Sequence, residues 1–528
     1  MDVRDAARHD LHEAEECAVI PGSADANPAR LSLECSPVPT IVVQGLQTLL
    51  VDDSPSLDAS LTTPSETLSH VQTSLFDGTD TSGTNSGFED LDMLRITVYT
   101  LAGIVIAELY EHPCTKVYEV KGRIRALGGP IVECQALTHE GALLYDGDTL
   151  HESGIVDDAS LQLAYLQPEA SIETIKVVAR CRPMKGSEID GGRKNVVQVR
   201  SDGSALLTLL NPDGERNDKE FAYDAVFDER YSQLQVFESV GSSLVDDVLN
   251  GYNGTIMSYG QTGAGKSYTM FGQGPDFAAS PSGERGLVQR SFEHIFATIF
   301  KLQNMQWNVR CSCVELYHER VSDLLAMQRQ KMELEDLGAE DGFCVKDLTT
   351  LTTNSVDEMQ GGASTGGCPT NDFDRTVLAL ALQNSSMGNA NVRSSQIATI
   401  FSVTVESRNV LGQVCRGTLN LVECKGSERQ SGMAAGIRES HRIGPSISAL
   451  GNVITALADY KSSCIPYRDS KFTKLLKNSL GGNARTVFIA CVSPTDCSYD
   501  ETLSTLRYAR RANGIKNRPK VNMVGISR

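Results

Sequence analysis

Gly260-Gln261-Thr262-Gly263-Ala264-Gly265-Lys266-Ser267 reads G-x-x-x-x-G-K-S. Glycines in such a loop let the backbone curl so that its N–H groups face a bound anion. The lysine of the pattern places a point charge on the β- and γ-phosphates, and the next hydroxyl ligates Mg²⁺. Here those positions are Lys266 and Ser267. The stretch therefore points to a nucleoside triphosphate held with Mg²⁺. Its flanks agree: residues 254–259 read as a buried strand, and a helix-compatible run follows Lys266.

Outward from the loop, the chain is organised in segments. Its 528 residues are enough for two or three domains. The formal net charge of −19 is unevenly spread. Residues 1–91 carry 16 acidic and 3 basic residues, whereas the stretch from 168 onward is balanced. That balance argues against a general nucleic-acid binder, which needs a basic stripe. Fourteen cysteines include no C-x-x-C pair and no zinc spacing, so buried reduced thiols are expected. The N-terminus lacks a signal-peptide pattern, and the apolar run from Ile96 to Ala107 is too short to span a bilayer. A soluble intracellular chain is expected.

Residues 1–91 are rich in Ser, Thr, Pro and Asp and contain no lysine, which predicts a disordered acidic tail. Residues 92–167 differ. Ile96, Val98 and Thr100 alternate, Leu101-Ala102-Gly103 can turn, and Ile104 to Leu109 can return, which is a hairpin pattern. Val117, Val120, Ile124 and Leu127 follow at helical spacing, and short strands are expected near Ala136, Leu143 and Leu161. The order resembles a small α+β ubiquitin-like β-grasp domain. It lacks a Gly-Gly end, so an interaction module or an appendage is implied rather than a conjugated tag. In residues 171–518, strand-like runs at 175–180, 308–317, 400–406, 418–422 and 487–492 alternate with helical ones. That alternation predicts an α/β fold with a central, mostly parallel sheet and helices on both faces.

The same segment carries further signatures. They include Ile175-Lys176-Val177-Val178-Ala179-Arg180-Cys181-Arg182-Pro183, Val314-Glu315-Leu316-Tyr317-His318-Glu319, Ser448-Ala449-Leu450-Gly451-Asn452, Ile465-Pro466-Tyr467-Arg468-Asp469-Ser470-Lys471 and Leu503-Ser504-Thr505-Leu506-Arg507-Tyr508-Ala509. In this order, together with the loop, they resemble the kinesin motor domain, a P-loop NTPase fold, over about two-thirds of the chain. The resemblance implies an ATP-dependent microtubule motor of the cytoplasm and cytoskeleton. It implies that Arg180, Arg182, Pro183 and Tyr268 border the base. Gln261, Thr262, Gly263, Ala264, Gly265, Lys266 and Ser267 would hold the phosphates, with Ser267 and Ser395 on Mg²⁺. Ser394, Ser395, Glu423, Gly426 and Glu428 would be the catalytic positions. Arg468, Lys471 and Lys474, with a helix from Ser446 to Leu457, would face the microtubule.

This chain departs from the family pattern where hydrolysis is controlled. The first switch, N-x-x-S-S-R-S-H, aligns with Asn391-Val392-Arg393-Ser394-Ser395-Gln396-Ile397-Ala398. The arginine that would pair with Glu428 is therefore Gln396. The second switch, D-L-A-G-S-E, aligns with Glu423-Cys424-Lys425-Gly426-Ser427-Glu428, so its aspartate is one methylene longer. A buried ion pair that loses one partner costs ~3–5 kcal/mol. Gly444-Pro445 is expected to stop or restart the helix that follows. The glycine-rich run 361–367 reads as a lengthened surface loop. Residues 519–528 read as a short tail without heptads, so a monomer is expected of this chain, or a piece of a longer motor. Two functions follow: a motor coupling ATP hydrolysis to movement, or a hydrolysis-impaired, non-motile adaptor that recruits partners through its ubiquitin-like segment.

Overall fold

The computed structural model describes residues 93–166, 170–200, 204–214, 217–273, 282–302, 304–326, 331–338, 342–353, 397–428, 444–459 and 464–524. All belong to one compact unit, Gly87–Arg528. The expected acidic tail, the glycine-rich run and Ser394, Ser395 and Gln396 lie outside the described residues.

The N-terminal module consists of β1 (Leu94–Thr100), β2 (Val105–Glu111), α1 (Val117–Ala126), β3 (Gln135–His139), β4 (Ala142–Leu143) and β5 (Ala159–Tyr165). The strands form one mixed sheet in the order β2-β1-β5-β3-β4, with β1 and β5 parallel and the other pairs antiparallel. Alternation puts Ile96, Val98, Ala107, Leu109, Leu161 and Leu163 on one face, where they meet Val117, Val120 and Ile124 of α1. Hairpin and helix thus form where the apolar spacing placed them.

The larger part starts with β6 (Glu173–Thr174), β7 (Lys176–Cys181), the short helix α2 (Gly186–Asp190), a side sheet of β8 (Val197–Val199), β9 (Leu206–Leu209) and β10 (Lys219–Ala222), then β11 (Ala225–Phe227). Helices α3 (Gln233–Val240) and α4 (Ser242–Leu249) lead into β12 (Gly254–Tyr259), α5 (Lys266–Phe271) and α6 (Leu287–Lys301). Strands β13 (Gln306–Tyr317), β14 (Arg320–Asp323), β15 (Lys331–Met332), β16 (Leu334–Gly338), β17 (Gly342–Val345), β18 (Leu351–Thr353), β19 (Ala398–Arg408) and β20 (Val414–Glu423) follow. The chain continues with α7 (Gly444–Ala458), α8 (Lys471–Leu475), β21 (Arg485–Val492), α9 (Tyr499–Ala512), β22 (Lys516–Asn517) and β23 (Met523–Val524).

The main sheet runs β11-β7-β21-β12-β20-β19-β13-β14-β15. Its first five strands are parallel and every later neighbour is antiparallel, so the sheet is mixed rather than mostly parallel. The physical reason is the connection: β19 and β20 are joined by only residues 409–413, and a short hairpin forces antiparallel pairing. Helices cover both faces. Val178, Ile256, Ile489 and Leu421 point to a core with α3, α4 and α6, while Val177, Met257, Phe488 and Val422 point to a second core with α7, α8 and α9. A strand buried on both sides reads as a continuous apolar run, as β12 and β21 do.

Candidate functional site

The phosphate loop leaves the carboxyl end of β12, between β21 and β20, where open α/β sheets bind ligands. Gly260 has φ +149, and a Cβ there would fall 2.1 Å from the Cys491 carbonyl oxygen, so only glycine fits. The loop closes into α5 through Gly265, which is left-handed at φ +99. Beside it lies a cleft of about 720 Å³ lined by Arg180–Lys185 on one wall and Gly263–Thr269 on the other.

Arg180, Arg182, Pro183, Gly263, Ala264, Gly265, Lys266, Ser267 and Tyr268 all line this cleft. Arg180 is buried and donates to Gln233 Oε1 at 2.8 Å and Thr269 Oγ1 at 3.0 Å, with its guanidinium 5.3 Å from the centre of the Tyr268 ring. Its burial lowers its pKa below the usual arginine range. Arg182 ties the wall to the loop. Its Nε donates to Gly263 O at 2.7 Å, and its fork grips both oxygens of Glu188 at 2.8 and 2.6 Å. That fork, with a bond from the Lys185 N–H, pulls the Glu188 carboxyl down to about 2.

Lys266 is buried and its Nζ donates to the loop carbonyls of Gly260 and Gln261 at 3.0 and 2.9 Å. Ser267 Oγ donates to Glu423 Oε1 at 2.5 Å. Glu423 ends β20 and is buried; burial pushes its pKa up, against the opposing pull of Ser267 and Lys266. Its second oxygen, Oε2, has no hydrogen-bond partner. A hydroxyl and a carboxylate with a spare oxygen are the hard oxygen donors that Mg²⁺ takes, and a positive ion is what an orphaned buried carboxylate lacks. The residues present therefore fit ATP with Mg²⁺.

Two expected phosphate contacts lie off the cleft wall. Gln261 sends its side chain to Ser498 Oγ at 2.9 Å. Thr262 is engaged by the second switch: its N–H donates to Glu428 Oε2 at 2.9 Å and its hydroxyl to Oε1 at 2.5 Å. Gly426 lies against this pair, with room for no Cβ beside Thr262 Oγ1. The next unusual residue, Lys425, is buried and donates to Ser446 Oγ of α7 at 2.6 Å. Burial holds its pKa below the usual lysine range. Helix α7 spans Gly444–Ala458, with Pro445 in its first turn; residues 429–443, which precede it, lie outside the described residues.

Arg468 lies in the turn Tyr467–Asp469, and Lys471 and Lys474 lie in α8, which follows it. Arg468 is exposed and pairs with Asp336 of β16 at 3.0 Å. Lys474 and Lys477 both lie over the Phe343 ring, at 5.6 and 5.9 Å. Lys477 extends this cluster beyond what the sequence picked out. Glu188 and Gln233 were also missed. Glu188 accepts from the Lys185 N–H at the start of α2, but a lysine at the cap position cannot complete a capping box, so no pattern marked it; Gln233 reaches its partners only through the fold.

Of the described cysteines, Cys134, Cys181, Cys311, Cys313, Cys415, Cys424 and Cys491 are buried free thiols, and Cys114, Cys464 and Cys497 are exposed. Among the described residues no helix is long and apolar enough to cross a membrane.

The family model described as "Kinesin motor domain" matches residues 180–515. Kinesin-like protein KIF3C of Pongo abelii is 39% identical over 386 residues, covering 66% of this chain and 46% of that protein. The Bos taurus protein of the same name is 39% identical over 384 residues, with the same two shares. The chain thus spans about half the length of the curated relatives it matches. A solved structure described as that of a fast kinesin, with implications for its ATPase mechanism and interactions with microtubules, is 39% identical. It covers 67% of this chain and 95% of its own, with a TM-score of 0.58. The loop, the residues lining the cleft and Glu428 all fall inside the matched span, and the chain belongs to the kinesin motor domain family.

Proposed function

We propose that this chain is a microtubule motor domain that binds ATP with Mg²⁺ and couples its hydrolysis to movement. The observation that carries the reading is the intact phosphate loop, whose Ser267 hydroxyl faces the buried Glu423 carboxylate with one oxygen to spare. Bound in the cleft, ATP with Mg²⁺ supplies the phosphoanhydride bond and the divalent charge that eases its cleavage. Lys266 would exchange the Gly260 and Gln261 carbonyls for phosphate oxygens. Ser267 and Glu423, with Ser395, would hold the metal. Arg180 and Tyr268 form a flat cationic and aromatic wall for the base, and Arg182 braces the loop through Gly263. With no protein nucleophile, rate comes from positioning and charge. Ser394, Gly426 and Glu428 are the positions we assign to the attacking water and the γ-phosphate.

The partner surface is the face of α7 and α8 carrying Arg468, Lys471 and Lys474, to which Lys477 is added. A positively charged face suits the acidic surface of a microtubule. The site of action is the cytoplasm, on the cytoskeleton. Residues 92–167 are read as a ubiquitin-like β-grasp domain that engages protein, supported by the strand order β2-β1-β5-β3-β4 over one helix. A monomer is the assembly proposed for this chain.

A second reading, a hydrolysis-impaired adaptor, is favoured by one observation: Glu428 grips Thr262 of the loop, and its expected arginine partner is Gln396. Steady-state ATPase measured with and without microtubules separates the two. Strong stimulation by microtubules supports the motor. Absent stimulation, with co-sedimentation indifferent to nucleotide, supports the adaptor.

A further inference from the structure

The N-terminal module is not merely strung before the motor. Ile131 and Cys134, at the end of its α1–β3 loop, form one buried cluster with Tyr252, Cys415 and Val521, and Tyr165 and Met523 pack against it. Ile131 does not belong to the module's own core, which is built around Val98, Val120 and Leu161. Polar bonds flank the apolar patch. Val410 N–H donates to Gly128 O at 3.0 Å, and Arg125 Nη2 reaches Leu249 O at 3.4 Å. Gly128 is left-handed at φ +90, and a Cβ there would fall 2.8 Å from the Asn304 carbonyl oxygen. The approach is too close for any other residue.

Two of the clustered residues, Val521 and Met523, belong to the C-terminal segment that follows α9. That segment lies extended along the motor. Lys516 and Asn517 pair with β6, and Met523 and Val524 pair with Cys415 and Val414 at the start of β20. Asn522 N–H donates to Gly251 O at 2.9 Å, and Cys415 Sγ lies 3.2 Å from Met523 Sδ. A strand of two residues at the start of a long neighbour is held weakly by its own ladder. The segment is also bonded to the motor, by Arg518 N–H to Gly482 O at 2.9 Å, Lys520 N–H to Asn483 Oδ1 at 2.8 Å and Asn522 Nδ2 to Arg416 O at 3.2 Å; the module adds apolar burial on its outer side at Val521 and Met523.

We propose that the module is an intramolecular clasp: its face at Ile131, Cys134 and Tyr165 holds the segment 516–524 against the motor sheet. Release of the C-terminal segment and release of the module are then one coupled event, since each buries the other's apolar side chains.

Amide hydrogen exchange on the full chain tests it. Ile131→Asp puts a charge into the cluster without entering the module core. The expected result is about tenfold or more faster exchange over 516–524, with exchange in β1, β5 and α1 unchanged. Unchanged protection of 516–524 alongside faster exchange at 128–134 would overturn the clasp. Where Ile131→Asp loosens the module's own sheet, Val521→Asp decides from the other side. Faster exchange at 128–134 and at Val410 supports the coupling, and unaltered exchange there overturns it. Turnover of ATP enters neither reading, so a failed motor assignment leaves this result interpretable.

Discussion

Ser267 Oγ donates to Glu423 Oε1 at 2.5 Å, and the other oxygen of Glu423 has no partner. A carboxylate buried in this way is costly until something positive reaches it. Burial raises its pKa above the ordinary glutamate value, against the opposing pull of Ser267 and Lys266. A group raised in the folded state stabilises the fold at low pH, and that contribution is lost as pH climbs past the ordinary glutamate range. Glu423→Gln should therefore melt higher than the parent at neutral pH without nucleotide, with the gap shrinking as pH falls toward ~4. The same substitution should weaken Mg²⁺-dependent nucleotide binding about tenfold or more, since a neutral oxygen is a poorer hard ligand. Thermal melts across pH and nucleotide titrations with and without Mg²⁺ check the two halves. A variant that melts lower at neutral pH would refute the burial argument.

Arg182 joins the two walls of the cleft, and Glu188 fixes its fork. Glu188→Gln keeps the shape and removes the charge. The guanidinium then loses its bidentate partner, and the Gly263 carbonyl loses a well-held donor. Nucleotide affinity should fall about tenfold, read by titration of a fluorescent nucleotide. The pH dependence has the opposite sign to that of Glu423. A carboxyl depressed to about 2 contributes stability above the ordinary glutamate value and loses it as pH falls toward 2. The difference in melting temperature between parent and Glu188→Gln should be widest above pH ~5 and close in acid.

How far these sites were legible differs residue by residue. Lys266 and Ser267 announce themselves because a loop that must curl around phosphate leaves few sequence solutions. The strands β13, β19, β20 and β21 fall within about four residues of their apolar runs, β21 because it is buried on both faces and β13, β19 and β20 because buried and half-buried positions alternate over much of their length. Strand direction does not, since the side-chain period is the same for parallel and antiparallel pairs. The hairpin at 409–413, with Gly412 at φ +76, was the available cue and outweighs the general α/β pattern. Glu428 on Thr262 could not be read at all. Its partner is 166 positions away, and the family pattern directs it to another residue.

Lys425 shows how an unexpected charge becomes a tether. It is buried, and its ammonium donates to Ser446 at the start of α7, so the second switch and that helix are joined by one 2.6 Å bond. Its depressed pKa means that the charge destabilises the fold at neutral pH and the penalty fades as pH rises toward the lysine range. Lys425→Met should raise the melting temperature at pH 7, with the gain shrinking toward pH ~10. Ser446→Ala leaves the ammonium without this acceptor and should cost about 1–3 kcal/mol in denaturant unfolding. If Ser446→Ala melts like the parent, the bond carries no stability and the tether is an accident of packing.

Glu428 and Gln396 decide whether the loop cycles. In the structure Glu428 spends both carboxylate oxygens on Thr262, one on its N–H and one on its hydroxyl. The family pattern would instead give it an arginine at position 396. Gln396→Arg offers a charged competitor for the same carboxylate, and a charge-assisted pair is roughly twice as strong as a neutral bond. Glu428 should then leave Thr262 and free the loop N–H for phosphate. Each ~1.4 kcal/mol gained by the closed state is about tenfold in rate, so microtubule-stimulated turnover should rise at least that much. The control is the double variant Gln396→Arg with Glu428→Ala, in which the gain should vanish because the arginine has no partner. Equal turnover of Gln396→Arg and the parent would show that the missing arginine does not limit the cycle, and would leave the lengthened Glu423 as the residue to shorten next.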